Sequence, residues 1–296
     1  MQIIFLGTSS MVPTKERNQS SILITYRNEG ILVDCGEGTQ RQLKIAGIKL
    51  TKITKILISH WHGDHVLGLP GLIQSMAASD YNKALEIYGP KNTKRFFKDM
   101  FNVFIFDRDI NIKICEIKKN VFFENEDFIL NALPLEHGIE TLGYNFIEKN
   151  KRKIDIGKVR KFGLNEGPLI GKLQEGKAIL FKGKKIIPDD VSNIVKGKKI
   201  TIINDTLPCK NASLLAKDAD LLICEATYTS KLEEKSREYG HMTAKQAAEL
   251  ANRSNTKKLV LTHFSARYKN ALETEEEART YFDNTLCAED FMKINL

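Results

Sequence analysis

Short apolar runs rich in β-branched and aliphatic residues recur along the chain. They cover residues 2–6, 21–26, 30–33, 53–59, 128–133, 199–204, 219–224 and 258–262, and most are bounded by turn-forming residues. This pattern predicts strands. Between them, residues 39–46, 69–78, 91–101, 210–217, 243–253 and 273–284 read as helices. Thr243 with Gln246 fits a capping box, in which hydroxyl and amide satisfy two backbone N–H groups that the first turn leaves free, so a helix starts there. Strands alternating with helices predict an α/β layered fold. A chain of 296 residues is long enough to bury one sizeable core.

One segment breaks the rhythm. Residues 148–185 hold Gly157, Gly163, Gly167, Gly171, Gly176 and Gly183 and the pair Gly167-Pro168, with charged and apolar residues in no clean period. This reads as an arm inserted into a single domain spanning 1–296. Charge sharpens the picture. The formal net charge is +8, yet residues 149–185 carry 12 Lys+Arg against 3 Asp+Glu, while the rest of the chain is balanced at 33 against 34. A basic limb on a neutral body points to a polyanionic partner. No stretch approaches the ~20 apolar residues of a membrane helix, and the start lacks the basic n-region of a signal peptide. Five widely spaced cysteines without a C-x-x-C pair read as reduced thiols. The expectation is a cytoplasmic protein with no membrane partner.

The six histidines carry the chemistry. His60-Trp61-His62-Gly63-Asp64-His65 sets three imidazoles and a carboxylate in one short loop directly after a predicted strand. His60 and His62 can point the same way from an extended chain end, with Asp64 and His65 one turn further on, so one loop can feed two adjacent metal ions. Asp205 and His263 each end a predicted strand, and His137 follows another after a turn containing Pro134. Alone, each would more often be structural; beside a cluster that still needs ligands, each becomes a metal-ligand candidate.

The run His60-x-His62-x-Asp64-His65, with His137, Asp205 and His263, resembles the metallo-β-lactamase superfamily. Further motifs narrow the resemblance to the tRNase Z family: Phe5-Leu-Gly-Thr-Ser-Ser10, Pro13-Thr-Lys-Glu-Arg17-Asn18, Asp34-Cys-Gly-Glu-Gly-Thr-Gln-Arg41, Cys224-Glu225-Ala226-Thr227, His241-Met-Thr243, Phe264-Ser-Ala-Arg267-Tyr268 and the arm's Gly167-Pro168. One departure is Asn204, where the family often has glycine.

The resemblance implies an αβ/βα sandwich with a flexible tRNA-binding arm. It implies two Zn2+ per subunit, one held by His60, His62 and His137, the other by Asp64, His65 and His263, with Asp205 shared. Asp34 would orient a ligand imidazole through its other ring nitrogen. The implied activity is endonucleolytic removal of the 3′ trailer from precursor tRNA, leaving a 3′-hydroxyl and a 5′-phosphate. In it Asp64 would accept the nucleophile's proton, and His241, charged and oriented by Glu225, would protonate the departing 3′-oxygen. Lys15, Arg17 and Asn18 would feel the nucleotides beyond the discriminator, Arg267 would clamp a phosphate, and Lys151, Arg152, Lys153, Gly167 and Pro168 would grip the tRNA. The chain length resembles the family's short form, which implies a homodimer. Rival readings are a small-molecule phosphodiesterase or arylsulfatase-like enzyme, a metallo-β-lactamase proper, and a metal-stabilised RNA-binding protein without catalysis. None of these gives a use to both the basic arm and the Glu225–His241 pair.

Overall fold

The structure is a computed structural model that describes residues 1–105, 110–164 and 167–296. Two seven-stranded sheets dominate the described residues. The first runs, edge to edge, Lys293–Asn295, Gln2–Gly7, Ser21–Tyr26, Glu29–Val33, Lys55–Leu57, Leu85–Gly89 and Ile112–Glu116. The second runs Thr285–Cys287, Leu259–Thr262, Leu221–Glu225, Lys199–Ile203, Glu140–Glu148, Phe128–Glu136 and Val121–Glu124.

Period-two alternation decides what each sheet face does. Ile4 and Leu6 pack with Leu43, Leu69, Leu72, Met76 and Phe97 from helices, making one helix-side core. Their neighbours Ile3 and Phe5 are equally buried and lie on the opposite face. Ile203, Leu222, Leu259 and Leu261 make the corresponding core with Leu215, Ala247, Ala248 and Ala251 on the other side. Between the sheets, Tyr144 donates its hydroxyl to the Ile58 carbonyl at 2.6 Å, and Tyr26 meets Phe146 edge-on at 5.3 Å. The order is therefore helix, sheet, sheet, helix. Strands covered on both faces explain why Ile31-Leu32-Val33 and Leu221-Leu222-Ile223 are continuously apolar rather than alternating.

The strand expected at 128–133 continues through Pro134 to Glu136, so His137 follows a strand and not a separate turn. Pro134 is tolerated because the neighbouring strand Val121–Glu124 has already ended. Its flank reaches only Ala132, which donates to the Asn120 carbonyl, so the missing N–H breaks no ladder. The helix expected at 273–284 is Leu272–Arg279, and the strand expected at 53–59 shortens to Lys55–Leu57. The capping box at Thr243 and Gln246 is present, opening the helix Ala244–Arg253.

The chain divides into two compact units. The larger comprises Met1–Phe123, Leu130–Phe146 and Lys199–Leu296. The smaller comprises Glu124–Ile129 and Ile147–Lys198 and contains the described residues of the 148–185 arm. It has two antiparallel ribbons, Lys151–Ile154 with Ser192–Val195 and Ile179–Phe181 with Lys184–Ile186, and the helices Ile156–Lys161 and Pro168–Gln174. The aperiodic sequence hid a small apolar core there: Val159, Leu164, Leu173, Ile179, Ile186 and Val191 are all buried together. Among the described residues no helix is long and apolar enough to cross a membrane, and all five cysteines are unpaired.

Candidate active site

Strand ends deliver the functional side chains. Lys199–Ile203, Leu221–Glu225 and Leu259–Thr262 are parallel neighbours, so their carboxyl ends lie side by side and present Asp205, Glu225 and His263 together. His137 follows Phe128–Glu136 in the same sheet. The first sheet contributes Asp34, just after Glu29–Val33, and the loop after Lys55–Leu57 that carries His60 and His62. Asp64 and His65 lie in a single helical turn, Gly63–Val66, rather than before a helix. Asp34 and His263 hold left-handed backbone angles, φ 58° and 63°, which disfavour any residue with a Cβ.

Seven side chains converge into two groups that share one carboxylate. His60, His62, His137 and Asp205 form one; Asp64, His65, His263 and Asp205 form the other, and in each the candidate ligand atoms lie within 4.8 Å of one another. Asp205 turns Oδ2 toward His60 Nε2 (3.6 Å) and His137 Nε2 (3.5 Å), and Oδ1 toward His65 Nε2 (3.4 Å) and His263 Nε2 (3.2 Å). Asp64 Oδ2 stands 3.3 Å from His65 Nε2 and 3.4 Å from His263 Nε2.

The opposite edges of the rings are fixed by neighbours. His65 Nδ1 donates to Asp34 Oδ2 at 2.7 Å, and His137 Nδ1 donates to the Gly240 carbonyl at 2.8 Å. The hydroxyls of Thr227 and Ser59 face His263 Nδ1 (2.9 Å) and His60 Nδ1 (3.0 Å). Asp34 itself accepts from Ser59 N and Oγ, each at 2.7 Å, and from Asn204 Nδ2 at 2.5 Å. The asparagine that departs from the family's usual glycine thus anchors the carboxylate that orients His65.

These groups fit a metal on physical grounds. Asp64 Oδ1, His65 Nε2 and Asp205 Oδ1 are buried with no hydrogen-bond partner, a costly state for polar atoms unless a cation satisfies them. His60 Nε2 faces His62 Nδ1 at 3.0 Å and His62 Nδ1 faces His137 Nε2 at 3.2 Å. Facing lone pairs repel unless a proton or metal sits between them. Burial and the neighbouring imidazoles hold His60 and His62 below the usual range, which keeps them neutral, as a ligand must be.

Next to the clusters stands a carboxylate–imidazole pair. Glu225 is fully buried and accepts from Thr206 N at 2.7 Å and Thr227 Oγ1 at 2.6 Å, and His241 Nδ1 lies 3.1 Å from its Oε1. Burial works against a charged His241, but Glu225 and the more distant Asp205 prevail and push its pKa up to about 9. A cavity of about 500 Å³ opens over this ensemble, walled by His62, His137, Asp64, Asp205 and His263 of the clusters and by His241, Tyr228 and Arg267.

Comparison with known proteins places this site in a family. A family model described as Anti-Pycsar protein Apyc1 matches residues 1–104. A ribonuclease Z from Methanothermobacter thermautotrophicus is 40% identical over 297 residues, covering 100% of this chain and 97% of its own. The chain belongs to the ribonuclease Z family. The crystal structure of human tRNase Z, short form, superposes with a TM-score of 0.73 at 29% identity, covering 100% of this chain and 99% of the human one. The Bacillus subtilis metallo-β-lactamase fold protein YhfI, at 16% identity and TM-score 0.72 over 99% and 98% of the two chains, shows the same fold. As a ribonuclease Z family member with the metallo-β-lactamase fold, the chain is a hydrolase with a metal cofactor, an endoribonuclease of precursor-tRNA 3′ processing.

Not every residue singled out in this ribonuclease Z family sequence lines the cavity. Arg267 does, with its guanidinium 5.3 Å over the Tyr228 ring and Nε donating to Ser265 Oγ at 3.1 Å. The loop from the first strand sends Ser10, Met11 and Val12 into the cavity wall, whereas Lys15 is exposed elsewhere on it. Arg17, expected to touch substrate, is turned inward: it is 8% exposed, donates to the Tyr268 carbonyl and lies 5.6 Å from the Phe264 ring centroid. Asn18 donates to the Glu37 carbonyl at 2.8 Å, and its N–H to Asp290 Oδ2 at 2.8 Å. In the smaller unit, Lys151 pairs with Glu148 and Arg152 with Asp189, while Lys153 is exposed. Gly167 and Pro168 open the helix Pro168–Gln174. Sequence reasoning missed Ser59, Thr227 and the Gly240 carbonyl as ring-orienting groups, and Tyr228 and Tyr239 as cavity walls. Gly240, at φ 75° directly before His241, left a readable signal: a Cβ there would meet His137 Nδ1 at 2.9 Å.

Proposed function

We propose that this chain cuts the 3′ trailer from precursor tRNA with two zinc ions, leaving a 3′-hydroxyl on the tRNA and a 5′-phosphate on the trailer. The observation that carries this reading is the sharing of Asp205 between two histidine clusters, with the Glu225–His241 pair in the same cavity. His60, His62 and His137 would hold one ion, Asp64, His65 and His263 the other, and Asp205 both. When bound, the pair would neutralise the scissile phosphate and supply a nucleophile from water at neutral pH.

The chain's own residues do the rest. Asp64, whose Oδ2 faces His65 and His263, takes the nucleophile's proton. A ribose 3′-oxygen leaves poorly as an alkoxide, and His241 protonates it. Glu225 keeps that proton available by stabilising the imidazolium and fixes the ring through Nδ1, so Nε2 is the donating nitrogen. Arg267 meets a phosphate next to the scissile one. Arg17 acts from beneath, by tying the loop that carries Ser10–Val12 to Tyr268. The smaller unit, with its basic surface, grips the body of the tRNA, and a homodimer can offer one subunit's arm to the other's site. Incubating the purified protein with a trailer-bearing precursor tRNA, with and without a chelator, and mapping both new ends tests the reading. Metal-independent cleavage, or a 2′,3′-cyclic end, would refute it.

A further inference from the structure

Asn204, where the family often has glycine, stands directly before Asp205, the carboxylate shared by the two clusters. It follows the strand Lys199–Ile203 of the second sheet, is buried, and reaches across to Asp34, which follows Glu29–Val33 of the first sheet. Its Nδ2 donates to Asp34 Oδ2 at 2.5 Å. An amide Nδ2 can only donate and an ionised carboxylate can only accept, so the direction of this bond is fixed.

Asp34 is where the bond matters. It is fully buried and holds a left-handed φ of 58°, a conformation that persists in a residue with a Cβ only where its surroundings hold it. Four donors do so. Ser59 N donates to Oδ1, while Ser59 Oγ, His65 Nδ1 and Asn204 Nδ2 donate to Oδ2. Three of the four belong to residues 59–65 of the first sheet's ligand loop; of these donors only Asn204 comes from the second sheet.

From Asp34 the order passes to one ring in each cluster. His65 donates from Nδ1 to Asp34, so the neutral ring carries its lone pair on Nε2, facing Asp64 and Asp205. Ser59 gives its hydroxyl proton to Asp34, so it accepts from His60 Nδ1, and His60 presents Nε2 in the same way. One carboxylate thus sets the tautomer of a ligand ring in both clusters, and its tie to the second sheet is made by the residue next to the shared ligand.

We propose that Asn204 is a positioning residue, a clasp across the two sheets that holds Asp34 and Asp205 in fixed relation and so raises the affinity of both clusters for zinc. The proposal rests on the two-ion reading of the site and not on which RNA is cut. Glycine at 204 would supply no side-chain donor and would leave Asp34 to the first sheet's loop. Groups that orient ligand rings in this way are typically worth about 10- to 100-fold in metal affinity.

The test titrates metal-free protein with zinc against a chromophoric chelator and follows both binding steps. Asn204→Ala should weaken each step about tenfold. Asn204→Gly restores the residue the family often carries; it should show the same loss and replaces Asn204→Ala if that variant folds poorly. The companion measurement is a cycle with Asp34→Ala: once Asp34 is truncated, Asn204→Ala should cause little further loss. Unchanged zinc affinity in the Asn204 variants would overturn the clasp, and a lowered unfolding temperature of the metal-free protein beside it would leave Asn204 a packing residue only. An equal loss with and without Asp34 would also overturn it, since Asn204 would then act by another route. If the unaltered protein binds no zinc, the two-ion reading fails and the clasp with it. If it binds two ions yet cuts no precursor tRNA, the proposed substrate is wrong and the titration alone decides the clasp.

Discussion

Glu225 has no exposed surface, and an isolated carboxylate so placed would give up its charge. It stays ionised because Thr206 N, Thr227 Oγ1 and His241 surround it, and its charge in turn raises the imidazole's pKa. Removing the donor should therefore cost rate and not metal: His241→Ala is expected to lower single-turnover cleavage by about 10²–10⁴ with unchanged metal content. Metal lost in parallel with activity would instead make His241 a ligand. The sign of the pH dependence follows from the raised pKa. The acid is present below about 9 and lost as pH rises through it, so cleavage should decline on the alkaline side. In Glu225→Gln the supporting charge is gone and the decline should begin at lower pH. Bound cations push the imidazole down in both proteins, so the measurement is the difference between their two pH–rate profiles.

Among the elements, the loops at strand ends are tied by buried polar contacts that the chain pattern does not announce. Arg17 links the loop after the first strand to the segment after His263, through the Tyr268 carbonyl and the Phe264 ring. Arg17→Ala is expected to destabilise the fold by about 1–3 kcal/mol, seen by thermal or denaturant unfolding, and to raise KM for precursor tRNA. Lys15→Ala should leave stability unchanged. The contrast shows where sequence reading stops. His60–His65, Asp205 and His263 were legible because a dense ligand motif and apolar strand ends are local patterns. The inward turn of Arg17 was not, because an arginine in a polar loop is ordinarily solvated and its partner is 251 residues away. The strand Glu140–Glu148 escaped for a similar reason: Thr141, Gly143 and Asn145 interrupt its apolar run. Yet Asn145 accepts from Thr201 at 2.7 Å in the buried interior, and Gly143 has the Ile202 carbonyl against it. The smaller unit was legible by charge but not by structure, since its core is made of six scattered aliphatic residues on short elements.

At the scale of the molecule, charge is segregated: residues 149–185 carry all of the positive excess and the remainder is close to neutral. Affinity for RNA should therefore reside largely in that segment and fall steeply with salt, through release of counterions from the tRNA. Deleting residues 152–176 is expected to abolish precursor-tRNA cleavage and flatten the salt dependence of binding while sparing a small phosphodiester. The larger unit can tolerate the loss because its two helix-side cores contain no residue of the deleted stretch. Tight, salt-sensitive tRNA binding by the shortened protein would remove the arm from the account.

The centre draws His60 through His65 from one sheet and His137, Asp205 and His263 from the other, and this has a consequence for biosynthesis. Neither cluster is complete until the ribosome has passed position 205, and the second waits for position 263. A growing chain, tethered among ribosomal RNA and tRNA, therefore holds no finished nuclease until His263 has been made and folded against the ligands that precede it.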